Sequence, residues 1–165
     1  MPELIILRGN SGSGKTSVAK TVQQCLGPNT MLLSHDMIRM QMLHVWGKEG
    51  IEKSLPLMQE LIQYGAAHSQ FTILEGILDS REYAALFETC REAFDGHIHA
   101  YYYDLSFEET LRRHRTKPNC NEFGEEEMKR WWRGRDLLLT IDEIVLTENA
   151  GFDETVERII DDVRS

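Results

Sequence analysis

Cysteine is scarce in this chain. Three residues, Cys25, Cys90 and Cys120, are scattered along it with no C-x-x-C pair and no even count to cross-link. That argues against a disulfide scaffold, a thiolate metal site or a dithiol redox motif, and the three read as buried or idle thiols. Long apolar runs are missing too, so no segment reaches transmembrane length. Met1-Pro2-Glu3 leads straight into an apolar strand, which leaves no room for a signal peptide, and the cytoplasm is the expected compartment. The six histidines show no ligand spacing, and none is assigned to a metal. Positive charge is in short supply: 18 Lys and Arg stand against 27 Asp and Glu, a formal net charge of −9. Phosphate contacts dominate nucleic-acid affinity, so DNA and RNA are disfavoured partners. A chain this acidic that binds phosphate must concentrate its few cations locally.

What is present is one sharp motif. Gly9-Asn10-Ser11-Gly12-Ser13-Gly14-Lys15-Thr16 has the form G-x-x-x-x-G-K-[ST] of a P-loop, with Ser17 following. It stands after the apolar run Leu4–Leu7 and opens a helical segment, the context in which the motif works. Successive backbone N–H groups converge on phosphate oxygens, and the helix N-terminus adds partial positive charge. Lys15 would reach the β- and γ-phosphates, and the Thr16 hydroxyl would face Mg²⁺.

The rest of the chain alternates strand and helix. Strands are expected at Leu4–Leu7, Thr30–Leu33, Phe71–Leu74, His97–Tyr103 and Ile141–Leu146. Helices are expected at Lys15–Leu26, Asp36 to about Trp46, Glu52–His68 after a break between Gly47 and Gly50, the Tyr83–Phe94 region, Phe107–Arg115 and Glu125–Trp132. A last helix is expected to be capped by Asp153. Asp79-x-x-Glu82 and Ser106-x-x-Glu109 have the form of capping boxes. Five short apolar strands between helices imply an α/β fold: one domain over 1–165, a parallel sheet covered on both faces. Ligands of such sheets sit beyond the C-terminal ends of the strands.

Three strand ends carry candidates. After the second strand, Asp36 and Arg39 share one face of a helical turn. Asp36 is placed to accept a proton from an attacking hydroxyl and Arg39 to bind the acceptor; the plainer alternative is an N-cap Asp beside a surface Arg. After the third come Glu75 and Gly76. The first is a metal or water ligand, or a turn cap, and the second leaves room for a ligand against the backbone. After the fourth, Arg112-Arg113-His114-Arg115-Thr116-Lys117 is the densest positive cluster in the chain. It is either a solvated helix end or a lid, about 112–135, that closes on ATP, with Arg113 and Lys117 on one face and Arg130, Arg133 and Arg135 completing it from the next helix.

Taken in order, Gly9–Thr16, Asp36-x-x-Arg39, Leu74-Glu75-Gly76 and the basic segment resemble the small P-loop kinases, most of all the zeta-toxin and chloramphenicol-phosphotransferase group. They are also similar to adenylylsulfate kinase and the 5′-kinase domain of polynucleotide kinase. The resemblance implies a three-layer sandwich with sheet order 2-3-1-4-5 and a small helical lid. It implies Lys15 and Thr16 on ATP and Mg²⁺, Asp36 as base, Glu75 near the acceptor, and a lid arginine such as Arg113 on the phosphates. Together with the strand-end reading, ATP is expected on Gly9–Ser17 and Lys117, Mg²⁺ at Thr16 and at Glu75 directly or through water, and the acceptor at Asp36, Arg39, Glu75 and Gly76. Acceptors vary widely in the group, so a small-molecule hydroxyl is as far as it goes. A nucleotide-dependent switch and a 5′-hydroxyl nucleic-acid kinase are the alternatives.

Overall fold

The computed structural model describes residues 1–118 and 120–165. Five parallel strands run in the order β2-β3-β1-β4-β5, which is the order expected. They are β1 (Glu3–Gly9), β2 (Thr30–Ser34), β3 (Phe71–Gly76), β4 (Ile98–Tyr103) and β5 (Glu143–Leu146). The helices are α1 (Lys15–Leu26), α2 (Gly47–His68), α3 (Ala84–Phe94), α4 (Phe107–His114), α5 (Glu125–Trp131) and α6 (Phe152–Arg164). Among the described residues, no helix is long and apolar enough to cross a membrane.

Strand periodicity of two makes β1 serve two cores at once. Leu4 and Ile6 point to one face, where Ile38, Met58 and Ile62, Leu86 and Phe87 cover them. Ile5 and Leu7 point to the other, against Val18 and Val22 of α1 and Ile159 and Val163 of α6. Both faces are covered, so the strand is an unbroken apolar run rather than an alternating one.

Several local expectations give way. No α-helix runs from Asp36 to Trp46; Met37–Met42 form one widened π-helical turn instead, with Leu43 N–H donating five residues back to Ile38 O at 3.1 Å. The chain breaks at His44, which has φ of 56°, and Trp46 then caps α2. Gly47 and Gly50 do not interrupt anything. α2 starts at Gly47 and passes through Gly50 and Pro56, because a stripe at Gly50, Ser54, Met58, Ile62 and Gly65 is buried and holds it. Gly65 lies so close to Thr72 that a β-carbon would collide with its hydroxyl. Asp153 lies in the first turn of α6, and Gly151 occupies the cap position. Asp79 receives the Arg81 and Glu82 N–H groups at 2.8 and 3.0 Å, capping the turn before α3. Only half of the Ser106 box forms: Ser106 Oγ accepts Glu109 N–H at 3.1 Å, while the Glu109 carboxylate turns to Arg112 and Arg113.

The residue after Leu7 was not foreseen as special. Arg8 continues the Leu4–Ile6 face and is wholly buried. Its five N–H groups are all engaged. Nε and Nη2 donate to Leu78 O at 3.1 and 3.0 Å, Nη2 to Asp136 Oδ2 at 2.8 Å, and Nη1 to Asp136 O at 2.8 Å and both Glu143 oxygens at 3.0 Å. The Phe87 and Tyr102 rings lie 5.4 and 5.3 Å from the guanidinium carbon. Burying a charge is tolerable only with such saturation, and removing one partner strands the others. Arg8→Met is expected to lose about 3–5 kcal/mol of stability, the usual cost of breaking a buried pair. Arg8→Lys should lose most of it too, because an ammonium cannot reproduce the planar fork. Urea denaturation of the three proteins is the check.

Candidate active site

The P-loop turns at the C-terminal end of β1 and its last residues start α1. Gly12 has φ of 85°, and a β-carbon there would sit 2.5 Å from Thr110 O and 2.9 Å from Met128 Cε. The position therefore needs glycine twice over, for its left-handed backbone and for the close approach of α4 and α5. Lys15 is almost fully buried, and its Nζ donates to Asn10 O at 3.2 Å. Burial pushes its pKa below the usual lysine value, with Glu75 and Asp36 pulling the other way. Asn10 presents its side chain to the segment after α5: Nδ2 donates to Arg133 O at 2.7 Å and Oδ1 accepts Arg133 N–H at 2.9 Å.

Glu75, at the end of β3, is 2% exposed. Its carboxylate accepts from Thr16 Oγ1 at 3.1 Å and from Ser34 Oγ at 2.6 Å. The ends of β2 and β3 and the first turn of α1 thus bring three oxygen-bearing side chains together at one point beside Lys15. Gly76 leaves no space for a ligand, contrary to expectation. The room a β-carbon would take is filled by His35, whose own Cβ would lie 2.5 Å away.

Asp36 is the exposed carboxylate of the group, with 61% of its side chain accessible. Arg39 Nη2 donates to its Oδ1 at 3.2 Å, so the i, i+3 pairing survives in the widened turn. Arg39 lays its stem along Gly50 of α2.

The basic segment faces the same place. Arg113 Nη1 donates to Ser13 O at 2.9 Å, and Nε to Glu109 Oε1 at 2.9 Å. Two guanidinium partners hold Glu109 at about 2, well below the ordinary carboxylate range. Lys117 is half-buried, and burial lowers its pKa, reinforced by the nearby Lys15 charge. Glu75, Arg113 and Asp36 also lie within its electrostatic reach. Arg133 and Arg135 follow α5 on extended chain, not within a helix, and both are spent on carboxylates: Arg133 on Asp79 and Glu82 at 3.0 and 3.1 Å, Arg135 on Asp104 at 3.4 Å. Arg130 is exposed.

Next to the P-loop is a cavity of about 600 Å³. Its walls are Gly14 and Ser17, Arg113 and Lys117 of the basic segment, and the turn Glu148–Gly151 between β5 and α6. Ser13 Oγ and Tyr103 Oη line it, buried and without a hydrogen-bond partner among the described residues. The volume suits a ligand the size of a nucleoside. The β5–α6 turn was missed in the sequence, although the strand-end rule that found Asp36 and Glu75 covers it equally.

Known structures share this architecture. An APS kinase of Mycobacterium tuberculosis, solved with AMPPNP and APS, superposes with a TM-score of 0.71 over 99% of this chain and 98% of its own, at 19% identity. A gluconokinase from Sinorhizobium meliloti 1021 gives 0.69 over 99% and 92% at 16% identity. A tunicamycin resistance protein of Deinococcus radiodurans gives 0.65 over 99% and 96% at 20%. No protein-family model and no curated protein matches the chain. The fold is that of the small P-loop kinases; at such identities the chemistry must come from the site itself.

His35 yields a pH prediction. It is 5% exposed, and burial pushes its pKa from 6.5 down to about 4, opposed by Asp36 and reinforced by Arg39 and Lys15. The unfolded chain therefore takes up a proton that the folded chain refuses. Stability contributed by neutral His35 is full above pH 6.5 and is lost as pH falls towards 4, with a slope of at most ~1.4 kcal/mol per pH unit. Urea midpoints measured across that range should fall more steeply for the wild type than for His35→Gln.

Proposed function

We propose that the protein is a phosphotransferase that moves the γ-phosphate of ATP, with Mg²⁺, to a hydroxyl group of a small molecule. The observation that carries this is the convergence of Lys15, Arg113 and Lys117 on one P-loop in a chain of net charge −9, with an exposed carboxylate, Asp36, inside the same field. Burial lowers the pKa of Lys15 and of Lys117, and the Lys15 and Arg113 charges lower Lys117 further; a bound polyanion would stabilise such cations, and a triphosphate supplies that charge.

The 600 Å³ cavity between lid and β5–α6 turn would take the nucleoside. The backbone from Gly9 to Thr16 would cradle the phosphates, with Ser13 and Ser17 beside them. Thr16 and Glu75 form a hard-oxygen donor set that fits Mg²⁺, which keeps most of its ligands as water and phosphate. When bound, the ion would neutralise charge on the phosphate oxygens. Lys15 would do the same from the other side, and Arg113 and Lys117 from the lid.

On the acceptor side, the hydroxyl oxygen attacks the γ-phosphorus as its proton passes to Asp36. The bond to the β–γ bridging oxygen breaks, and ADP leaves. Phosphoryl transfer passes through a loose transition state, so the main work of the protein is alignment and charge stabilisation. Arg39 is close enough to hold either Asp36 or the acceptor.

ATP consumption measured against a panel of nucleosides, sugars, sugar acids and hydroxylated antibiotics tests this. Lys15→Ala is expected to abolish turnover, and equal turnover in wild type and variant with every compound would sink the proposal. Asp36→Asn should retain ATP binding in calorimetry while transfer falls by about 10²-fold or more, the lower range for losing a general base. Undiminished transfer removes Asp36 from that role.

A further inference from the structure

Asp36 is followed in the motif by Arg39, but it is preceded by a histidine that the chemistry above does not use. His35 Nε2 and Tyr83 Oη are 2.6 Å apart, and the rings meet edge to face at 4.9 Å. Tyr83 is 2% exposed, and Ser54 Oγ, wholly buried on α2, lies 3.3 Å from its oxygen. The other ring nitrogen, Nδ1, is buried with no hydrogen-bond partner, and 3.9 Å from it is Asp36 Oδ1. The β2 end, α2 and the β3–α3 segment thus contribute one residue each to a row that ends at the exposed carboxylate.

We propose that His35 is a positioning residue for Asp36: Tyr83 holds the imidazole as the Nδ1–H tautomer, and that N–H fixes Asp36 Oδ1, leaving Oδ2 to take the acceptor's proton. This rests on the assignment of Asp36 as the base. A phenol is a better donor than an imidazole N–H, so the short contact is a Tyr83 O–H given to the Nε2 lone pair. That leaves the ring proton on Nδ1. The opposite tautomer would aim an unsatisfied, buried lone pair at a carboxylate oxygen, which is repulsive. Burial keeps the ring neutral near pH 7, so His35 has a single N–H to give. The Asp36 side chain is 61% exposed and so free to turn, and the proposal requires a torsion that closes the 3.9 Å gap to a hydrogen bond. Arg39 Nη2 bonds the same oxygen, Oδ1, and among the described residues Oδ2 has no hydrogen bond. Two donors on one oxygen fix the plane of the carboxylate and turn the other oxygen towards the site.

Nitrogen-15 NMR of histidine-labelled protein reads the tautomer directly, without an acceptor. The wild type is expected to show neutral His35 protonated on Nδ1, and Tyr83→Phe to shift the signal towards the Nε2–H form. A wild-type ring protonated on Nε2 overturns the inference. The kinetic arm uses MgATP with the panel compound that accepts phosphate, or with water as acceptor if none does. His35→Gln keeps an acceptor towards Tyr83 but has no donor at the Nδ1 position; His35→Asn keeps that donor. Glutamine should lower kcat at least tenfold with the KM for ATP unchanged, asparagine should restore most of it, and in an Asp36→Asn background neither should add a further loss. An unchanged kcat in His35→Gln, or equal losses in both backgrounds, overturns the inference while Asp36→Asn alone still reports on the base. Full transfer by Asp36→Asn overturns both assignments together.

Discussion

The site depends on a buried guanidinium. Arg8 sits one residue before the P-loop, at the point where β1 passes from core to loop, and its donors tie three other segments to that point. Leu78 belongs to the chain after β3, Asp136 to the chain after α5, Glu143 to β5, and Arg8 itself to β1. Asp136 passes the constraint on, receiving Ser80 N–H at 2.8 Å and the Ser80 hydroxyl. An apolar residue would avoid the cost of desolvating the guanidinium, yet it would strand the carboxylates of Asp136 and Glu143 and leave the irregular segments at Leu78 and Asp136 unattached to β1. Arg8 therefore places the loops that flank the site.

A second set of contacts works outward from the P-loop. Asn10 holds the backbone of Arg133, Gly12 admits Thr110 and Met128, and Ser13 O accepts from Arg113. Each joins the phosphate loop to the segment between β4 and β5. That segment is thus seated on the loop itself. A substitution at Gly12 would therefore disturb two things at once, the backbone of the P-loop and the seat of α4 and α5 on it.

The sequence made the fold legible because the strands are short apolar runs and the P-loop marks where β1 ends. Lys15 was read from the P-loop motif, Asp36 and Glu75 from the rule that ligands gather beyond strand ends, and Lys117 from the concentration of positive charge in an acidic chain. The misses have physical causes. Arg8 escaped because a charged residue at a strand end looks solvent-exposed until its distant partners are known, and Asp136 and Glu143 are far along the chain. His35 and Tyr83 escaped because their pairing is tertiary and neither residue has a partner at ligand spacing. Gly76 was given to a ligand because the histidine that occupies its space could not be foreseen. The helix over 36–46 failed because the periodicity of Met37-Ile38-Arg39-Met40 fits a tight and a widened turn equally well.

The widened turn bears on what Asp36 does. One extra residue in the turn breaks the continuity that would otherwise bury the segment as plain helix, and such turns recur at functional sites. Ile38 still anchors it to the core, wholly buried, while Asp36 and Met40 on either side stay exposed. An ordinary N-cap aspartate would accept backbone N–H groups of its own helix. Asp36 accepts none and is bonded by Arg39 instead. Its carboxylate is held from the side, next to three cations, with one oxygen unbonded among the described residues. That arrangement costs helix stability, and it leaves a carboxylate oxygen open to a ligand, as the proposed role of Asp36 requires.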